Sequence, residues 1–398
     1  MENTQPVQLF ASRRQRPSLS AVPQTQTLFI GAKECVRHCS RRSLTEESRA
    51  ALCLPDSEIV LGNTEPLIIE AIQQLYHQAK DKPRGFFLYT GCPMRFIGVD
   101  FEGVTQTLQT LLPLQVSHIE QISFMAARQS GGLASMFSKA IYQLLPKGQS
   151  DKSTGVFLLN GSAPFAPENE LLHYFKSNQI PLLLANQWQD FDDFLKVGNA
   201  SLILVTDGDL LEAAECLKER RGIDYLYLPL SYRSEEIANA YSMLDQTFAQ
   251  QTDMHEFFYQ PQNNSYTRLD LDLRSAMRPW SLSRALLEYG FPVTSIIASK
   301  RLRMDEDDHS EVQVVLEEDP DYQWLKQNHP KLPIQIESQS HSHHQGRQGL
   351  ANGHREGRHD HHGNHNRPQG QTFGEQSYWG YAALKNLAEQ LNIRRIGS

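Results

Sequence analysis

Short apolar runs alternate along this chain with stretches of helical period, and each run stops at a turn. Leu28-Phe29-Ile30 runs into Gly31-Ala32-Lys33-Glu34-Cys35, and Phe86-Phe87-Leu88-Tyr89-Thr90 runs into Gly91-Cys92-Pro93 and then Ile97-Gly98-Val99-Asp100. Between them, Ser57 to Asn63 reads as a further apolar run ending in a turn, followed by a helical pattern from Glu65 to about Gln78. Thr105–Leu112 and Gly132–Leu145 carry helical spacing, with a strand predicted over Gln121–Met125. Apolar runs of this length, alternating with helices, predict parallel sheets.

The alternation continues beyond a polar, turn-rich linker near Pro146–Asp151. Strands are predicted at Val156–Asn160, Ile180–Leu184, Ser201–Val205 and Tyr225–Leu228. Helices are predicted at Glu168–Asn178, Phe191–Lys196, Leu210–Arg220 and, opened by a Ser234 cap, Ser234–Ala249. A third unit starts near Thr267, with a helix at Trp280–Tyr289, a strand at Pro292–Ala298, a possible strand at Val312–Leu316, a helix at Asp321–Gln327 and a strand-like run at Lys331–Glu337. Ser338 to Gln371 is mostly Gly, His, Asn, Gln, Ser and Arg and has too few apolar residues to bury a core. Apolar sequence resumes at Phe373, and a last helix is predicted from Tyr378 to about Leu391. The expectation is an α/β chain. It has a flexible leader over 1–26, Rossmann-like doubly wound units over 27–148, 149–255 and 256–337 plus 372–398, and a disordered His-rich insert over 338–371.

Composition narrows the picture. A formal charge of -8 argues against a nucleic acid as the main partner. No apolar stretch is long enough to span a membrane, and the leader has no secretory apolar core. Five cysteines, an odd number, fit a reducing cytoplasm better than a disulfide framework. No GxGxxG or P-loop motif is present, and Asp305-Glu306-Asp307-Asp308 lacks the spacing of a calcium loop.

The cysteines carry the candidate chemistry. Cys35 and Cys92 each follow a strand and a Gly-bearing turn, where a thiolate can stand among backbone N–H groups and ligate an iron–sulfur cluster. Buried packing is the competing reading, since no CxxC pair is present. Cys39 and Cys53 lie nearby in sequence, and Cys216 falls within a predicted helix as packing. In the insert, His341, His343, His344, His354, His359, His361, His362 and His365 could hold Ni, Zn, Cu or Co ions, or form a solvated loop with incidental metal affinity.

The runs FIGAKEC, EIVLGNTEPLIIEAI and YTGCP followed by FIGVDFEGV resemble nitrogenase component 1 proteins, a family of nitrogenase large subunits, cofactor scaffolds and dark-operative tetrapyrrole reductases. The resemblance continues through SLILVTDGD, ERRGIDYLYLPL, RPWSLSRALLEYGFPV and FGEQSYWGYAALKNLAEQL. It implies three similar α/β domains around a central cleft and an iron–sulfur cluster, of [4Fe–4S] type, at a subunit interface. It also implies a tetramer with a paralogous chain or with itself, and an ATP-dependent iron protein as electron donor. Cys35 and Cys92 match the family's cluster cysteines, and Gly31, Gly62, Gly91, Gly98 and Asp100 match the turns around them. The family's cysteine upstream of the first loop has no counterpart here, which leaves Cys39 or Cys53 to complete a set. Thr206-Asp207 stands where the cysteine of the molybdenum–iron cofactor falls, so that cofactor is not expected. The alternative is a non-catalytic cofactor-assembly or metal-handling protein that works through the His-rich insert.

Overall fold

Phe86, Phe87 and Leu88 are successive residues of one strand, and each is fully buried. A strand sends alternate side chains to opposite faces, so such a run needs cover on both sides of its sheet, as parallel sheets have. The protein, seen in a computed structural model, supplies that cover with helices. Described are residues 7–11, 19–33, 36, 48–91, 94, 97–120, 132–160, 169–228, 231–250, 268–273, 278–299, 302–304, 311–313, 319–337, 370–373 and 380.

Three sheets of parallel strands form the frame. The first comprises β2 (Thr25–Ala32), β3 (Arg49–Leu54), β4 (Gly85–Thr90) and β5 (Gln115–Glu120), in the order β3-β2-β4-β5. The second repeats this topology with β6 (Val156–Leu159), β7 (Leu182–Leu184), β8 (Leu202–Val205) and β9 (Tyr225–Tyr227), in the order β7-β6-β8-β9. The third is made of β1 (Val7–Ala11), β10 (Leu269–Asp272), β11 (Val293–Ser299), β14 (Ile334–Glu337) and β15 (Gly370–Phe373), in the order β14-β11-β10-β1-β15. A small antiparallel pair, β12 (Leu302–Met304) and β13 (Glu311–Gln313), stands apart.

The helices are α1 (Asp56–Leu61), α2 (Thr64–Gln78), α3 (Phe101–Leu111), α4 (Gly132–Gln143), α5 (Glu170–Ser177), α6 (Phe191–Lys196), α7 (Leu211–Arg221), α8 (Ser234–Phe248), α9 (Pro279–Glu288) and α10 (Pro320–Asn328). Strand periodicity sorts the buried side chains into three apolar layers. Phe86 and Leu88 join Ile68 and Ile72 of α2 and Val104 and Leu108 of α3. Phe87 and Tyr89, on the opposite face, join α4 and reach Phe157 and Leu159 of the second sheet. Val156 and Leu158 face the other way, meeting α5 and α8 and continuing into β10, β11, α9 and α10. Each sheet therefore shares a core with its neighbour. Burial on this scale, at about 25 cal/mol per Å² of apolar surface, is what holds the layers together.

Three expectations need correction. Residues 7–11, expected within a flexible leader, form a strand of the third sheet: β1 pairs in parallel with both β10 and β15, Leu9 lying opposite Leu271 and Gln371. Ser57 to Gly62 is not a strand but lies in α1 and its end. Pro55 precedes the helix, Asp56 and Glu58 sit in its first turn, and left-handed Gly62 stops it. The strand lies just upstream, at β3. The strand expected at Gln121–Met125 lies outside the described residues; a strand that the sequence did not mark, β5, precedes it at Gln115–Glu120. The helix at 234 starts without a side-chain cap, Arg233 being its N-cap residue. Most of the insert 338–371 and the predicted helix 378–391 also fall outside the described residues.

Candidate functional site

The first sheet reverses its winding between β2 and β4. The chain passes from β2 to β3 on one side, then crosses back to place β4 on the other. Such a reversal opens a crevice beyond the carboxyl ends of the two strands, where open α/β sheets bind ligands. Ile30 lies in register with Thr90, and the Gly91 N–H donates to the Ile30 carbonyl in a long bond of 3.4 Å. Gly31, the last residue but one of β2, and Gly91, the first after β4, thus stand side by side, both buried. Beneath them Phe29 and Tyr89 pack at 5.3 Å between ring centroids, which stiffens the pair of strand ends.

Cys35 and Cys92 follow these glycines, four and one residues on; both lie outside the described residues, as does Cys39. Cys53 is described. It sits on β3 opposite Gly31 and is exposed. The strands that precede Cys35 and Cys92, β2 and β4, are neighbours, and Cys53 lies on β3 at the other side of β2. Among the described residues no group of three or more His, Cys, Asp or Glu side chains could hold a metal ion. The eight histidines His341 to His365 lie outside the described residues. Cys216 is buried on α7, with its thiol pushed up by burial.

The loop carrying Cys92 is anchored on both flanks. Met94 is buried and its N–H bonds the Gly91 carbonyl at 3.1 Å. At the far end the Asp100 N–H donates to Glu65 Oε1 on α2 at 3.0 Å, and Asp100 Oδ1 accepts from the Gly103 N–H at 2.9 Å as the cap of α3. His118 of β5, which the sequence reading passed over, touches both flanks. Its Nε2 lies 2.8 Å from Thr90 Oγ1, and its ring stacks on Phe101 at 3.9 Å and 11°. With Nε2 protonated, the ring donates to Thr90, whose hydroxyl in turn donates to the Ile119 carbonyl at 3.4 Å. The one sequence signal for this residue is its place in a short run of mixed polarity, Gln115 to Glu120, between α3 and α4.

Burial pushes the His118 pKa from 6.5 down to about 4. Between those values the unfolded chain binds the proton and the folded chain does not. Stability from this group is full above pH 6.5 and is lost as pH falls toward 4. The loss should total about 3 kcal/mol. Urea midpoints of the wild type should therefore fall more steeply over that window than those of His118→Leu; parallel pH profiles would contradict the burial of a neutral ring.

In the second sheet the equivalent reversal lies between β6 and β8. The Thr206 N–H bonds the Leu159 carbonyl at 3.3 Å, and Thr206 and Asp207 are both buried there. Among the described residues, no helix is long and apolar enough to cross a membrane.

Comparison with known proteins agrees with this geometry. No curated protein matches the chain in sequence. Among solved structures, one described as nitrogenase Cp1 at pH 6.5 aligns with a TM-score of 0.55 at 11% identity, over 83% of this chain and 78% of that one. A second, nitrogenase Cp1 at pH 5, aligns with a TM-score of 0.43 at 13% identity, over 78% of this chain and 68% of that one. At such identity the first likeness speaks for the fold. The family model for nitrogenase component 1 type oxidoreductases matches residues 19–267, which take in the first two sheets and both cysteine loops. The chain belongs to the nitrogenase component 1 type oxidoreductase family.

Proposed function

We propose that this chain is an oxidoreductase subunit that holds an iron–sulfur cluster at the β2–β4 crevice, through Cys35 and Cys92, alone or shared with a paralogous chain. Electrons reach it from an ATP-dependent iron protein. The observation that carries the reading is the adjacency of Gly31 and Gly91 at a winding reversal, tied by the bond from Gly91 to Ile30. Loops that leave neighbouring parallel strands at one end can converge on one ligand without moving the frame. A cluster held there supplies a one-electron carrier whose potential responds to backbone N–H groups and burial. The chain's own contribution is to present the thiols from rigid strand ends and to limit water around them.

A protein partner also fits the surface. Val60 and Leu61 of α1 are 84% and 75% exposed, a short run beyond Cys53 at the same end of the sheet. Adjacent exposed aliphatic side chains near a cluster site suit a docked subunit or reductase better than open solvent.

The test is direct. The full chain, co-expressed with a paralogous partner and purified without oxygen, should be brown and contain iron and acid-labile sulfide. A colourless preparation of fully soluble, folded protein would sink the assignment.

A further inference from the structure

We propose that His118 is a positioning residue for Cys92: by gripping residues 90 and 101 together, it fixes both ends of the loop that presents the thiol. The inference rests on the cluster reading above for its purpose, but not for its geometry. Thr90 is the last residue of β4, and Phe101 is the first residue of α3. Cys92 lies in the ten-residue connection between them, of which Gly91, Met94 and residues 97–100 are described. One imidazole closes its mouth, with a 2.8 Å hydrogen bond to the entry and a 3.9 Å ring stack on the exit.

A packing role alone does not explain an imidazole here. A phenyl or isobutyl group would fill the same volume against Phe101 without burying a polar ring, and a buried polar ring is unfavourable unless it is bonded. The bond it makes goes to Thr90, which is fully buried two residues before the thiol. The remaining anchors act in the same sense. Asp100 is tied to Glu65, Met94 is buried, and Gly91 is tied to Ile30 and hence to the strand that leads to Cys35. The clamp therefore sets the Cys92 loop relative to the Cys35 loop, and ligand spacing is what a cluster reads.

The test uses the full chain with three variants. His118→Leu keeps an apolar side chain and removes the bond. His118→Gln can restore a bond to Thr90 without the stack. Phe101→Leu removes the stack while leaving the sheet untouched, and stands in should His118→Leu fail to fold. Backbone hydrogen exchange is read on the metal-free protein. Exchange across residues 91–100 should rise about tenfold in His118→Leu, with partial recovery in His118→Gln. Residues 156–160 and 202–205 of the second sheet should be unchanged. Equal exchange in wild type and variant, or acceleration spread evenly over all sheets, overturns the clamp. Iron content and visible spectrum are then read after anaerobic reconstitution. Lower iron or a shifted spectrum in His118→Leu supports the positioning role. A loosened loop with wild-type iron and spectrum overturns it. A wild type that takes up no iron removes the cluster assignment, and the positioning role with it, while the exchange data still report separately on the clamp.

Discussion

Cys92→Ala is expected to lose nearly all bound iron from the anaerobically purified chain, with its unfolding midpoint almost unchanged. Cys92 lies one residue beyond Gly91, which is bonded to Ile30 of the neighbouring strand. No other cysteine among the described residues follows that strand end. Cys53 sits across β2 on the edge strand, and Cys216 is buried on α7 against the Lys139 carbonyl of α4. A thiolate ligand lost from a cluster site is not replaced by a methyl group, and affinity built on few ligands falls steeply with each one removed. Cys216→Ala is the matched control and should keep wild-type iron. Cys53→Ala separates two ligand sets: full iron leaves the cluster to the loops and a partner chain, and partial loss brings β3 into it. Iron per chain, by colorimetric assay, decides the matter. Wild-type iron in Cys92→Ala would remove the site from this sheet.

Gly155→Ala should destabilise the protein by about 3 kcal/mol or more, enough to unfold the second sheet under mild denaturant. Gly155 has φ +97, a region that side-chain-bearing residues rarely adopt. A Cβ there would lie 2.4 Å from the Pro181 carbonyl oxygen and 2.7 Å from the Pro181 Cβ. That carbonyl cannot retreat freely, because it accepts the Val156 N–H at 2.8 Å, the first bond between β6 and β7. The Gly155 carbonyl is also engaged, accepting the Ser201 N–H at 2.7 Å and the Ser201 hydroxyl at 2.9 Å at the start of β8. One methyl group thus strikes the point where three strands are set in register. Gly62→Ala is the comparison. It too has positive φ, at +70, but no atom lies within 4 Å of its would-be Cβ. Its cost should be only the left-handed backbone, about 1 kcal/mol. Urea unfolding of the two variants side by side checks this. Equal midpoints would mean that the approach of Pro181 relaxes at no cost.

Strands buried on both faces were readable from sequence, since Phe86–Tyr89 and Val156–Leu159 can only be interior to a sheet. Helices with an apolar stripe and a glycine stop, such as Leu211–Arg221 before Gly222, were readable for the same reason. Edge and mixed strands were not. Arg49–Leu54 buries only Leu54, and Gln115–Glu120 sets two adjacent polar residues between its buried Val116 and Ile119. The helix α1 was mistaken for a strand because Ile59, Val60 and Leu61 form an apolar triplet, yet two of them face solvent. Local hydrophobicity marks burial only when a third element covers it. At the site, the strand-turn-cysteine pattern pointed to Gly31 and Gly91. It could not point to His118, whose partners lie 28 and 17 residues away in sequence and meet it only through sheet register.

The placement of β1 bears on how the chain is made. Its partners are Leu269–Asp272 and Gly370–Phe373, so the third sheet cannot be completed until residue 373 has left the ribosome. At about 5–20 residues per second, residues 7–11 wait tens of seconds with no neighbours to bond. The first two sheets use only local partners and can assemble during that interval. The β2–β4 crevice is thus built before the third sheet closes around β1, and a cluster of the kind proposed above need not await the last strand to be loaded.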